Sequence, residues 1–560
     1  MKKNMTRRDF LKGTAVSALG IAATSLLGGC SAEQECPTVE PCVCEPSKNA
    51  WLGTAPEIAD SEITKAIDCD VLVVGCGCAG TFAACSAAEN GAKTICIDQY
   101  PEGASSGIRD TIAAIGSKQQ IANNDNPDKF KVIQMLQQQS NGYGSMELYH
   151  LWADNSGEAV DWYTDILDKN GIKFLHEVDD HTVPSNYPLA DVGHSIQWGT
   201  NEYSSQFSMK FVNDYGKSIG VEYHFKTQMI KLTKDGNKVT GIIATNENGE
   251  YVKYVANKGV IMCTGGYSRN EEMLKALQPE TIKFTTINKS YPGMNGDGIK
   301  ACMWAGAAFD DIHSSMLFER GCIKPDQVGN ENGGELFWMG SQPFLKVNLN
   351  GKRFTNESAP YDYILHTLLN QPYQTYAMVW DSNYTKYIGA FETHGCSRLT
   401  PHANGTESVM PMFLITDIMN PQLEADGYIV KADTIEELAE KLGLPVDNFK
   451  ATVARYNELA DKGVDEDFGK EAHRLTHLDT APYYGVRQAG GYFICTMDGV
   501  KIDTNLNVLD ENNLPIEGLY AAGDCSGSYF ATSYPNLLAG AAAGRSVTFG
   551  RLAGRNAARR

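Results

Sequence analysis

The sequence predicts an α/β architecture, a parallel-sheet domain interrupted by an α+β capping domain and preceded by a signal segment and a tether. Three observations predict it. A short apolar run, Asp70 to Val74, ends in the glycine-rich turn Gly75-Cys76-Gly77-Cys78-Ala79-Gly80 and passes into a helical stretch reaching Asn90. Residues 227–263 alternate with the strand period, turning at Asp235-Gly236 and Asn248-Gly249. After a long insertion an apolar strand returns in "GLYAAGDCSGSY" and leads to Gly523-Asp524. The implied boundaries are 1–30 signal, 31–65 tether, 66–315 sheet domain, 316–494 cap, and 495–560 return to the sheet domain.

The chain opens with "MTRRDFLKGTAVSALGIAATSLLGGC", a charged stretch followed by an apolar run of small residues, which reads as a targeting segment. The pair Arg7-Arg8 before Asp-Phe-Leu-Lys resembles the twin-arginine export signal, a route taken by folded proteins. Leu27-Gly28-Gly29-Cys30 resembles a lipoprotein cleavage box that would leave a lipidated Cys30 at the mature N-terminus. A simple cleaved signal is the alternative, and the apolar run falls short of the ~20 residues of a membrane span. Residues 31–60 are polar and Pro-rich, as in a tether. Their Cys36, Cys42 and Cys44 match no CxxCH haem site and no zinc clip, so surface disulfides or free thiols are the default and an iron–sulfur ligand set the alternative. No metal site is read.

A chain of 560 residues, 42 % hydrophobic, has room for two or three domains. The formal charge is −20, and removing residues 1–30, with five basic residues and one acid, leaves about −24. That balance excludes a nucleic-acid partner and favours a basic redox partner. Of 15 cysteines, Cys69, Cys76, Cys78, Cys85, Cys96 and Cys263 fall inside apolar patterns and read as small core residues.

The turn after Val74 supplies the glycines that let a backbone bend tightly and approach a pyrophosphate, with a helix N-terminus behind it. A second strand, Lys93 to Ile97, ends at Asp98, placed to accept hydrogen bonds from a ribose. Together with "VIMCTGGYSRN", "GMNGDGIKACMWAGA", "NLNGKRFTNES", "TIEELAEKLGLP…ATVARYNELADKGVDEDFG" and "GLYAAGD…GRSVTFGRLAG", these stretches make residues 68–555 resemble the FAD-binding fumarate reductase/succinate dehydrogenase flavoprotein superfamily. The resemblance implies a Rossmann-like FAD-binding domain. It also implies that Gly75, Gly77, Cys78, Ala79, Gly80, Asp98, Gln99, Ala104, Ser105, Ser106, Gly266, Asp297, Asp524, Asn536 and Leu537 line the cofactor. No FAD-attaching histidine stands in "GASSGIRDTIAAIGS", so non-covalent flavin is expected. Without CxxCH the chain carries no c-type haem, and electrons must come from a membrane-bound cytochrome or other donor.

The fumarate-reducing pattern departs here. Where relatives place a proton-donating arginine after "RF-x-NE", ungapped alignment puts Tyr361. Leu537 stands near the late carboxylate-binding arginine, and Ile494-Cys495 replace paired histidines before Thr496-Met497-Asp498-Gly499. A dicarboxylate would be left with unpaired charge, at several kcal/mol per ion. Tyrosines remain: Tyr361, read as the acid; Tyr534, as carbonyl polariser, in a "TSYPN" stretch similar to the "SY" segment of 3-ketosteroid dehydrogenases; and Tyr529. Arg320 is a further substrate-contact candidate, and His313 reads as a packed histidine.

The expected protein is an exported, lipid-anchored FAD reductase of an α,β-unsaturated carbonyl substrate, active in anaerobic respiration at the outer face of the cytoplasmic membrane. It looks like the flavoprotein reductases of gut anaerobes, a group that includes the cardiac glycoside reductase. The alternatives are a ketosteroid-type dehydrogenase, a fumarate-reductase-like enzyme, a substrate-binding lipoprotein and an iron–sulfur electron carrier.

Overall fold

In the computed structural model the described residues are 49–560, except 106, 108–110, 180, 182, 198–204, 289, 330–332, 392–396 and 409. The signal segment, Cys30, Cys36, Cys42, Cys44 and Ser106 lie outside them. Trp51–Arg560 forms one compact unit.

The main sheet has eight strands. Its parallel centre runs, in spatial order, Pro515–Ala521, Tyr251–Met262, Ile63–Val74, Thr94–Ile97 and Glu222–His224. Asn507–Leu509 pairs antiparallel at one edge, and the hairpin Gln228–Asp235 with Lys238–Thr245 attaches to Tyr251–Met262. The meander and its two Gly turns thus appear where alternation places them, with Gly236 and Gly249 at φ 59° and 79°. Val71, Leu72, Val73, Ile95, Val260 and Ile261 are fully covered, as expected for parallel strands with helices on both faces. Helix Cys78–Glu89 lies on the sheet, and Ala541–Arg559 packs on that helix. The contact is close because Gly550 and Gly554 carry no side chain: a Cβ there would stand 2.4 Å from Ala79 O and 2.2 Å from Ala83 O.

A second, seven-stranded sheet builds the cap. Tyr483–Thr496 is its spine, pairing with Ser315–Ile323, Tyr376–Trp380, Ile429–Ala432 and Thr285–Asn288. Helices Ile435–Lys441 and Val446–Lys462 cover it. A small third sheet orders Thr111–Ala113, Gly193–Ile196 and Phe174–His176.

Two boundaries need correction. The stretch read as tether to residue 65 joins the fold earlier: Trp51 is buried against Phe309, at 6.0 Å between ring centroids, and the first strand begins at Ile63 by pairing with Tyr251. One apolar indole and two added strand pairs, Ile63 with Tyr251 and Lys65 with Val252, outweigh the polar composition that suggested a linker. Thr285–Asn288, inside the segment assigned to the first domain, belongs to the cap sheet.

The "RF-x-NE" motif has a structural meaning. Arg353 donates to both oxygens of Glu357, at 3.0 and 2.9 Å, and to both of Asp465, at 3.1 and 2.8 Å, all nearly buried. Lys470 Nζ stands 3.5 Å from Glu357. Replacing Arg353 with Met leaves two buried carboxylates short of partners, an expected loss of about 3–5 kcal/mol. A urea-unfolding midpoint unchanged in Arg353→Met would refute that assignment.

Candidate active site

The C-terminal ends of the parallel strands meet in a cleft of about 740 Å³. Gly75 and Gly77, then Asp98, Gln99, Ala104, Ser105 and Asp297, line it. Helix Cys78–Glu89 starts there with Gly77 as its N-cap and no capping side chain, so its first amide groups point at the cleft with only a ligand or water to satisfy them. Asp98 accepts Cys76 N–H at 2.7 Å and Tyr100 N–H at 2.8 Å, one on each carboxylate oxygen. Both bonds fix the carboxylate at the strand end and leave lone pairs for a ribose. A smaller chamber of about 360 Å³ continues past Cys78, Gly107 and Asp524 to Ala542, Ala543 and Ser546 at the start of helix Ala541–Arg559. The uncapped helix end, the acid at the strand edge and the length of the two chambers fit an extended dinucleotide such as FAD.

Several predicted lining residues are placed elsewhere. Gly266 faces Thr496, where a Cβ would stand 1.9 Å from Oγ1, and its neighbour Gly265 lines the cleft instead. Gly80 presses on the turn itself, with a Cβ position 1.8 Å from Gly75 O. Ala79 is buried under Gly523 and Gly550. Asn536 and Leu537 are buried in the loop that follows Tyr534 and line neither chamber. Reading missed Tyr100, Thr227, Gln228, Met229, Tyr291 and Met294, which do line it. Only the Pro292-Gly293 turn beside "GMNGDG" signalled part of that set.

The three catalytic candidates come together around one ring. Phe318 and Arg320 alternate on strand Ser315–Ile323 and so share a face. Phe318 meets Tyr361 edge-on at 5.5 Å and Tyr534 at 6.5 Å between centroids, and the Arg320 guanidinium lies 4.5 Å over its ring. Arg320 also lies 3.8 Å from the Trp338 ring centroid and donates to Ser341 Oγ at 3.0 Å. Tyr361 opens helix Tyr361–Leu368. The Tyr534 hydroxyl accepts the Ala542 N–H at 3.2 Å, which ties this cluster to the smaller chamber. Arg545 strengthens the link, reaching Asp524 at 3.3 Å and lying 4.8 Å over Phe530, itself 5.7 Å from Tyr534. Tyr529 packs edge-on against Tyr149 behind this group. His313 is stacked on Phe309 and bonded to buried Asp498 at 2.8 Å, away from Phe318's ring contacts.

Asp362 joins the two tyrosines. It follows Tyr361 in the chain, and its Oδ2 accepts Tyr534 N–H at 2.6 Å. Burial pushes its carboxyl up to about 7, opposed by the bonds from Tyr534 and Ser533. The folded value lies above the ordinary ~3.9, so the folded protein holds the proton more tightly between pH 4 and 7. Stability from this group is therefore full in acid and falls as pH rises through 7. Buried Asp310, at about 7, and Glu319, at about 8, act in the same direction. Melting temperatures should decline from pH 5.5 to 8.5, and Asp362→Asn should make the decline shallower; an equal slope in both proteins would reject the role given to Asp362.

A family model described as an FAD binding domain matches residues 70–537. A vinyl phenol reductase of Lactiplantibacillus plantarum is 28% identical over 506 residues, covering 87% of this chain and 96% of the relative. A 3-oxosteroid 1-dehydrogenase of Mycolicibacterium smegmatis is 30% identical over 368 residues, covering 60% of this chain and 59% of the relative. A solved flavocytochrome c3 fumarate reductase superimposes with a TM-score of 0.62 at 25% identity, covering 89% of this chain and 79% of that one.

Proposed function

The chain belongs to the FAD-dependent fumarate reductase/succinate dehydrogenase flavoprotein superfamily, oxidoreductases acting on CH–CH bonds, and on that premise we propose that it reduces the C=C bond of a neutral, aryl- or carbonyl-conjugated substrate rather than fumarate. The observation that carries this reading is the aromatic cluster of Phe318, Tyr361, Tyr534 and Trp338 about Arg320, whose guanidinium is already engaged by Ser341 and by the Phe318, Trp338 and Tyr361 rings. Such a wall binds a planar apolar body well and two carboxylates poorly.

FAD, when bound by the cleft residues described above, supplies the hydride. Tyr361 then holds the proton destined for the α-carbon, and the buried ring cluster keeps water from competing for it. The Tyr534 hydroxyl donates to the substrate carbonyl or phenol oxygen; accepting the Ala542 amide makes it a stronger donor. Asp362 holds the backbone of Tyr534 in register with Tyr361.

Dithionite-reduced viologen offers the test. The purified flavoprotein should reoxidise the dye with aryl acrylates, vinyl phenols or enones at a kcat/KM at least about 100-fold above that for fumarate. Comparable or faster fumarate turnover would sink the reading. Oxidation of a saturated 3-oxosteroid with a dye acceptor, and no reduction of alkenes, would instead favour the dehydrogenase direction suggested by the role given to Tyr534.

The same proposal carries the enzyme through the twin-arginine route to the outer face of the cytoplasmic membrane, anchored by lipid on Cys30, with non-covalent flavin and a membrane-bound cytochrome or other donor. Its support is the motif at residues 7–30. Arg7→Lys with Arg8→Lys should retain the precursor inside the cell, and Cys30→Ala should release the exported enzyme from the membrane fraction.

A further inference from the structure

The cleft is divided along its length. Tyr291 and Met294 line both the larger and the smaller chamber, so they stand at the partition. They sit on a strap, residues 290–296, that is anchored on one bank: Arg269 N–H donates to Met294 O at 2.8 Å, and Arg269 Nε to Ser290 O at 2.9 Å. On the other bank, Gly107 N–H donates to the Tyr291 hydroxyl at 3.3 Å, and Gln99 Nε2 reaches Gly293 O at 3.4 Å. Gly293 permits that reach, since a Cβ there would lie 2.6 Å from Gln99 Nε2 and from the Tyr100 ring.

We propose that Tyr291 is the clasp that retains the bound dinucleotide, closing the strap over its mid-length through the Gly107 amide. A ligand filling both chambers passes the partition, so leaving requires the Tyr291–Gly107 bond to open and the strap to lift. Both contacts on this bank, at 3.3 and 3.4 Å, are longer than the Arg269 anchors at 2.8 and 2.9 Å, which suits a latch that opens here while the anchors remain fixed. This rests on FAD as the cofactor, and on no feature of the substrate site.

The experiment follows flavin release from the holoenzyme after dilution, by the rise in FAD fluorescence, with no substrate present. Tyr291→Phe, which keeps the ring and loses the bond, should release FAD about 5–10-fold faster, and Tyr291→Ala about 50-fold faster or more. Melting temperatures of the flavin-stripped proteins should agree within about 2 °C. Release rates within twofold of the unaltered protein would overturn the proposal, as would flavin that stays attached after denaturation. A Tyr291→Phe variant whose stripped form is itself destabilised would also overturn it, showing a structural role. Failure of enone reduction in the viologen assay would reject the proposed reaction and leave this measurement untouched.

Discussion

Tyr361→Phe should lower kcat for an aryl- or carbonyl-conjugated substrate by about 10²–10⁴-fold, the range of a lost general acid, with flavin content and fold unchanged. The substitution keeps the ring contact with Phe318 and removes the hydroxyl that would deliver the proton. KM should move little, since proton delivery is made in the transition state. Tyr534→Phe strips the hydroxyl that accepts the Ala542 N–H, costing about 1 kcal/mol of stability as well as turnover. A Tyr361→Phe enzyme within threefold of the parent would place the proton on another group.

Gly75→Ala should abolish flavin binding, with less than about a tenth of the parental FAD per chain after purification. The residue has φ 100°, and its Cβ would stand 2.3 Å from Cys263 O on the neighbouring strand. The dihedral alone costs roughly 1–3 kcal/mol, and the collision forces the adjacent strands Ile63–Val74 and Tyr251–Met262 apart. Gly77, by contrast, has φ −83°, which any residue adopts. Gly77→Ala therefore tests crowding of the ligand rather than backbone strain, and should weaken FAD binding while leaving the flavin-stripped protein as stable as before. Normal flavin content in Gly75→Ala would mean that the turn relaxes without the loss expected here.

Much of this was legible because it is local. Strand, turn, helix, strand and acid occupy residues 70–98, and the meander declares itself by Asp-Gly and Asn-Gly turns. What escaped reading depends on distant parts of the chain. Tyr291 meets Gly107 across 184 positions, and Asp362 meets Tyr534 across 172, separations that leave no periodic trace. Gly265 and Gly266 look equivalent in sequence, yet only the first faces the cleft, because a one-residue step turns the second toward Thr496. Trp51 is a single aromatic in a polar run, and no pattern marks it as core.

The strand order has a consequence for how the protein is made. Tyr251–Met262 sits between Ile63–Val74 and Pro515–Ala521, so one side of the central strand stays open until nearly the whole chain has been synthesised. At about 5–20 residues per second, the roughly 250 residues in between take some 10–50 s to appear. During that interval Cys263, which directly follows that strand and is buried and unbridged in the finished fold, lacks its neighbours Ala522 and Cys525. A disulfide formed then would lock the strands out of register. A fold completed under reducing conditions avoids that trap.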